Sequence, residues 1–146
     1  MTRSEIREHI FKLVFRLEFI DVSEMPAQLS RYFEDVYKDD EEGEGLKIVS
    51  FTDEEEGYVK TKYDSIVARL PELDDIINKN SKGWDVGRIG KVDLAILRLA
   101  VYEVLFDDDI PVGVAIDEAV ELAKKYGQDE SSSFVNGILA SVAKSI

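Results

Sequence analysis

The sequence has no cysteine and a single histidine, His9. Without thiols there can be no disulfide, no thiolate metal site and no cysteine nucleophile. With one imidazole, only an all-carboxylate site for a hard cation would remain, and the DxDxDG spacing of a calcium loop is absent. Neither metal nor cofactor is expected. There is no run of about 18 apolar residues, and the opening MTRSEIR turns amphipathic at once, so no membrane span or secretory signal is expected and the expected location is cytoplasmic. Period-two alternation over strand length is also missing, as is any repeat of solenoid length. What remains is 146 residues, 45% hydrophobic, enough for one domain spanning 1–146 with a sizeable core.

Positive charge is scarce: 18 Lys and Arg stand against 31 Asp and Glu, a formal net charge of −13. The excess concentrates between residues 39 and 80, where five basic side chains face thirteen acidic ones; the first 38 residues hold six against seven. The middle of the chain should repel nucleic acid, and only the N-terminal part could tolerate it.

Apolar spacing supplies the fold class. Ile6, Ile10, Leu13, Val14, Leu17 and Ile20 form the stripe of an amphipathic helix of about five turns, with Ser4 as its expected N-cap. A second helix is expected from Pro26 to Tyr37, with Ala27, Phe33 and Val36 among its apolar positions, followed by an acidic surface loop over about 39–50 that opens DDEEGEG. Thr52-Asp-Glu-Glu55 reads as a capping box opening a helix to about Leu70, and Pro71 begins a shorter one carrying Leu73, Ile76 and Ile77. The segment from Trp84 to Phe106 is apolar on most sides, as a central helix touched from several directions would be. Three acids at 107–109 should stop it, since carboxylates are disfavoured at a helix C-terminus. The next helix starts near Pro111, buries Ala115, Ala119, Val120, Ala123 and Tyr126, and should end at Gly127 in a left-handed stop. A last helix begins around 129–131. The expected architecture is all-α, a bundle of about seven helices.

That last helix contains Asn136-Gly137, a dipeptide more usual in turns. No strand-like pattern flanks it, so a continuous helix is expected, with Val135, Ile138, Leu139 and Val142 as the core face. Gly137 falls nearly opposite, and close approach of another backbone would account for it. Phe134 lies to one flank beside Ser131, where the ring could stack on a base or pack on a neighbouring helix.

Catalytic patterns are not found. Gly87-Arg-Ile-Gly90 lacks the spacing of a phosphate loop, and the acidic runs read as solvated helix ends. His9, next to Ile10, reads as a partly covered surface imidazole. Asp93 is either an early-turn acid favoured by the helix dipole or a partner contact. Arg98, inside the apolar segment, reads as a structural fork for a carboxylate or for helix-end carbonyls.

Three stretches, WDVGRIGKVDLAILRLAVYEVL from Trp84, DIPVGVAIDEAVELAKKYG from Asp109 and SFVNGIL from Ser133, resemble the NusB family of transcription antitermination factors in wording, order and spacing. The resemblance implies an all-helical protein, not an enzyme, that pairs with the small-subunit ribosomal protein NusE and binds boxA RNA. It would act with the RNA polymerase elongation complex, notably on ribosomal RNA operons, and self-association through the partner surface stays open. By motif position, Arg3 and Arg7 would contact phosphates, Phe134 would face a base, and Glu130 and Ser131 would border the RNA site. Phe15 and Asp93 would face NusE. The chain departs from the family in offering only Arg3 and Arg7, then Lys12 and Arg16, where many relatives carry an arginine-rich run. Phe15 also stands where an aromatic hydroxyl is common. The protein alone should therefore bind RNA weakly. NusB-like domains also open ribosomal RNA cytosine methyltransferases, but no nucleotide-binding βαβ pattern and no cysteine accompany this one. A helical protein-interaction module with weak or no RNA binding of its own is the alternative.

Overall fold

A hydroxyl and an acid three residues on open both the first and the third helix. Thr2 Oγ1 accepts the Glu5 N–H at 3.1 Å, and Thr52 Oγ1 accepts the Glu55 N–H at 3.1 Å while Glu55 Oε1 takes the Thr52 N–H at 2.9 Å. The second box is the one expected from sequence; in the first, Thr2 and not Ser4 is the cap. The computed structural model describes residues 1–42 and 51–146, with 22 and 35–42 described by backbone alone. Among the described residues there are seven α-helices and no strand: α1 Arg3–Arg16, α2 Met25–Glu42, α3 Asp53–Ala68, α4 Leu70–Asn80, α5 Lys91–Phe106, α6 Val112–Tyr126 and α7 Ser131–Lys144. The all-α expectation holds.

Helix ends depart from the sequence reading in places. α1 stops at Arg16 and tightens into a 3-10 turn over Leu17–Phe19. α2 runs on through Asp39–Glu42 instead of yielding to a loop at residue 39. No Gly or Pro interrupts residues 27–42, and the dipole penalty on terminal acids, a few tenths of a kcal/mol each, is too small to stop a helix containing good helix formers. The rest of the expected acidic loop, 43–50, lies outside the described residues. At 107–109 the stop holds: α5 ends at Phe106 and Asp107 Oδ1 accepts the Asp109 N–H at 3.1 Å.

The chain divides into two compact units, Met1–Tyr63 and Asp64–Ile146. In the first, α1 packs on α2. Ile10, Leu13, Val14 and Leu17 are buried as the stripe requires, while Ile6 and Ile20 are only partly covered. On α2, Leu29, Tyr32 and Phe33 are buried, but Ala27 is exposed. His9 is partly covered: its ring meets Phe51 edge-on at 4.9 Å, and Nδ1 hydrogen-bonds the Tyr32 hydroxyl. Burial, and then the nearby Lys12 ammonium, push the imidazole below its ordinary pKa.

In the second unit α5 contacts α4, α6 and α7, which explains why every residue from Leu94 to Val101 is buried. One of these is Arg98. Its Nε and Nη2 donate to Asp74 Oδ1 and Oδ2 of α4, both at 2.8 Å, so the fork ties down a carboxylate as the sequence suggested. The glycines reverse expectation. Gly127 has φ −90 and ψ −168, ordinary extended backbone, so it is no left-handed stop. A Cβ there would sit 2.5 Å from Ser131 Cβ and 2.7 Å from the Ala123 carbonyl oxygen, so the tight α6–α7 turn is what demands glycine. α7 is continuous through Gly137, yet a Cβ at 137 would meet nothing within 4 Å. No backbone approaches there.

Candidate nucleic-acid interface

The segment joining α4 to α5 is fixed in place by polar side chains at the end of α4. Asn78 Oδ1 accepts the Val86 N–H at 2.7 Å, and the buried Ser81 hydroxyl bonds the Asn78 carbonyl at 3.1 Å and also that of Trp84. Asn80 Nδ2 donates to the Ile76 carbonyl at 2.8 Å, and its Oδ1 accepts from Ser141 on α7 at 2.7 Å. The turn between passes through φ 49 at Lys82 and φ 94 at Gly83, a left-handed pair that a lysine adopts at some cost. The consequence is a tryptophan, Trp84, held 54% exposed on a well-anchored backbone.

On the other side, the α6–α7 turn is just as constrained. Ser131 Oγ accepts the Gln128 N–H at 2.9 Å, and the Gly127 N–H reaches the Ala123 carbonyl at 2.9 Å. Between the two segments lies a hollow of about 580 Å³. Its walls carry three aromatic rings (Trp84, Tyr126, Phe134), two cations (Arg88, Lys91) and two carboxylates (Asp93, Glu130). The α5 and α7 N-termini both border it through Gly90 and Glu130, and neither N-cap residue makes a side-chain capping bond. Two helix dipoles thus present partial positive charge to one space.

Of the residues singled out from sequence, four meet here. Phe134 is partly covered and lines the hollow, Glu130 is exposed at the α7 N-cap, Ser131 is buried with its hydroxyl committed to the turn, and Asp93 is partly covered in the first turn of α5. The sequence reading had assigned Asp93 to a different surface from Phe134. Trp84, Arg88, Lys91 and Tyr126 also line the hollow and were not singled out from sequence; the usable signal was a lone tryptophan four residues before an arginine in the segment preceding α5.

The other three belong to the first unit. Arg3 is exposed as the first residue of α1, whereas Arg7 is only 5% exposed, so a phosphate contact there would require its side chain to swing out. The remaining α1 cations have neighbours: Lys12 lies 3.8 Å from Glu8, and the Arg16 guanidinium sits 4.9 Å over the Tyr32 ring. Phe15 is partly covered, with Phe19 edge-on at 5.2 Å. Among the described residues, no group of three or more His, Asp or Glu side chains could hold a metal ion.

The family model of the NusB family matches residues 4–144. The chain belongs to the NusB family. It is 50% identical over 143 residues to the transcription antitermination protein NusB of Agathobacter rectalis, covering 98% of this chain and all of that one. Among solved structures, NusB of T. maritima superposes with a TM-score of 0.81 at 33% identity, over 99% of this chain and 92% of that one. A crystal structure of the antitermination factors NusB and NusE in complex with dsRNA matches with a TM-score of 0.76 at 26% identity, over the full length of both chains. The motifs from Trp84, Asp109 and Ser133 that carried the resemblance all fall within the family match.

Proposed function

We propose that this NusB-family chain is a non-enzymatic transcription antitermination factor that pairs with NusE and binds boxA RNA, supporting processive transcription of ribosomal RNA operons by the elongation complex. Full-length membership in the family carries the reading, and a related NusB with NusE and RNA in one crystal supports both partners. In this reading Phe134, Glu130 and Ser131 of the second unit contact RNA, as do Arg3 and Arg7 of the first, and Asp93 and Phe15 contact NusE. Asp93 and Phe134 line one hollow, so a NusE bound at Asp93 would stand next to the RNA and could add its own phosphate contacts.

That proximity matters because the chain has little to offer RNA alone. Its net charge is −13, Arg7 is buried, and each phosphate contact withheld lowers affinity and flattens its salt dependence. The same two facts favour the alternative, an interaction module with weak or no RNA affinity of its own. Titrating labelled boxA RNA at two salt concentrations, with and without NusE, separates the two readings. The antitermination reading expects weak binding alone and stronger, more salt-sensitive binding for the NusE complex. Absence of boxA binding in both samples would leave the interaction module.

A further inference from the structure

We infer that the acidic first turn of α3, tied to the start of α1, works against RNA at Arg3 and holds down the affinity of the protein alone, so that boxA binding depends on NusE. The inference rests on the proposed RNA-binding role and adds to it residues that repel RNA in place of contacting it.

One carboxylate joins the two helix starts. The Met1 α-ammonium lies 2.9 Å from Glu55 Oε2, while Glu55 Oε1 takes the Thr52 N–H at 2.9 Å. Hydrogen bonding to Glu55 holds the amine above its ordinary pKa, and the Thr52 N–H, then the amine, hold Glu55 below its own, so both groups are charged near neutral pH. Arg3 follows Met1 by two residues, and at about 3.8 Å per residue its backbone starts within about 7 Å of that contact. This is shorter than the screening length of about 10 Å at 0.1 M salt.

Negative charge prevails around these starts. Asp53, Glu54, Glu55 and Glu56 open α3 and Glu5 lies in the first turn of α1, five carboxylates against the amine and Arg3. Asp53 and Glu54 are exposed and, among the described residues, pair with no cation, so their field extends into the solvent that a phosphate at Arg3 would enter. The α3 dipole favours these acids where they are, but its partial charge of about half a unit offsets only a fraction of them. Arg3 is exposed and likewise unpaired among the described residues. A phosphate that reaches it therefore meets one cation backed by an acidic wall, and further contacts must come from a partner.

Asp53→Asn and Glu54→Gln together remove two of these charges and leave the Thr52–Glu55 capping box intact. This double variant should bind boxA RNA about threefold more tightly than wild type at about 0.1 M salt, alone and with NusE, and the gain should fade toward about 1 M, where screening acts within about 3 Å. Asp21→Asn and Glu24→Gln make the same change in net charge past the far end of the 14-residue α1, about 20 Å from Arg3, and should leave boxA affinity as it is. Both variants should keep the wild-type circular dichroism. If boxA RNA binds the NusE complex but the α3 variant gains nothing alone or in the complex, or the control gains as much, the inference is overturned and the RNA-binding role survives. If boxA RNA binds neither the protein nor the complex, both fall.

Discussion

Gly127 at the end of α6 and Gly137 inside α7 carry opposite instructions for the same substitution. A Cβ at 127 would lie within 2.7 Å of Ser131 Cβ, Ser131 Oγ and the Ala123 carbonyl oxygen, all held by the turn itself. Gly127→Ala should therefore destabilise the protein by about 1–3 kcal/mol, the usual cost of forcing atoms into a filled space. Gly137 has open space and a helical backbone, so Gly137→Ala should stabilise by about 0.5–1 kcal/mol through helix propensity and a less free unfolded chain. Urea midpoints of the two variants should fall on opposite sides of wild type, and a shift in the same direction would contradict the packing described. The sequence reading expected a left-handed stop at Gly127 and a close backbone approach at Gly137, and neither holds, because local spacing does not show how tightly the α6–α7 turn folds back on itself. Arg98 was legible for the opposite reason: a guanidinium among apolar neighbours has few options other than a partner such as Asp74.

At the scale of the element, α3 shows how much an end depends on one side chain. Thr52 supplies a hydroxyl acceptor and its own N–H is taken by Glu55, whose carboxyl is held below its ordinary pKa first by that backbone bond. Thr52→Ala should cost about 1 kcal/mol and Thr52→Asp much less, since aspartate keeps an acceptor at the cap. Denaturant titration of both variants checks this, and equal losses would mean the cap bond is not what holds the helix start. Helix interiors were the most legible part of the sequence, because buried faces repeat every three to four residues in α1 and α7 and α5 is apolar on most sides. Ends were less so. Both Thr2 and Ser4 are hydroxyls, and only Thr2 has an acid three residues on, a signal present but passed over. α2 outran its expected end because an acidic run that buries little can still continue a helix when no Gly or Pro interrupts it. The hollow shows the same limit. Phe134, Glu130 and Ser131 were singled out through their motif, but that Trp84 and Arg88 line the same hollow shows only once α4's end has fixed their segment beside α7.

For the whole molecule, acid acts through two sets of groups with opposite sign. His9 has a folded pKa below its ordinary value of 6.5, because burial and then Lys12 disfavour the imidazolium. As pH falls past 6.5 the unfolded chain takes up a proton that the folded chain resists. Unfolding then gains protons, and stability must drop until the folded pKa is also passed. Protonation of acidic groups relieves self-repulsion in a chain of net charge −13, and it does so alike in wild type and in a His9 variant. Wild type should lose stability between pH 7.5 and 5.5 while His9→Gln, which keeps a polar side chain but cannot take the proton, should stay flat over that range. Any relief from the acidic excess should appear in both proteins alike. Urea unfolding at half-unit pH steps measures this directly: parallel curves for wild type and His9→Gln would show that His9 titrates alike in the folded and unfolded chain, leaving the acidic balance to set the pH response.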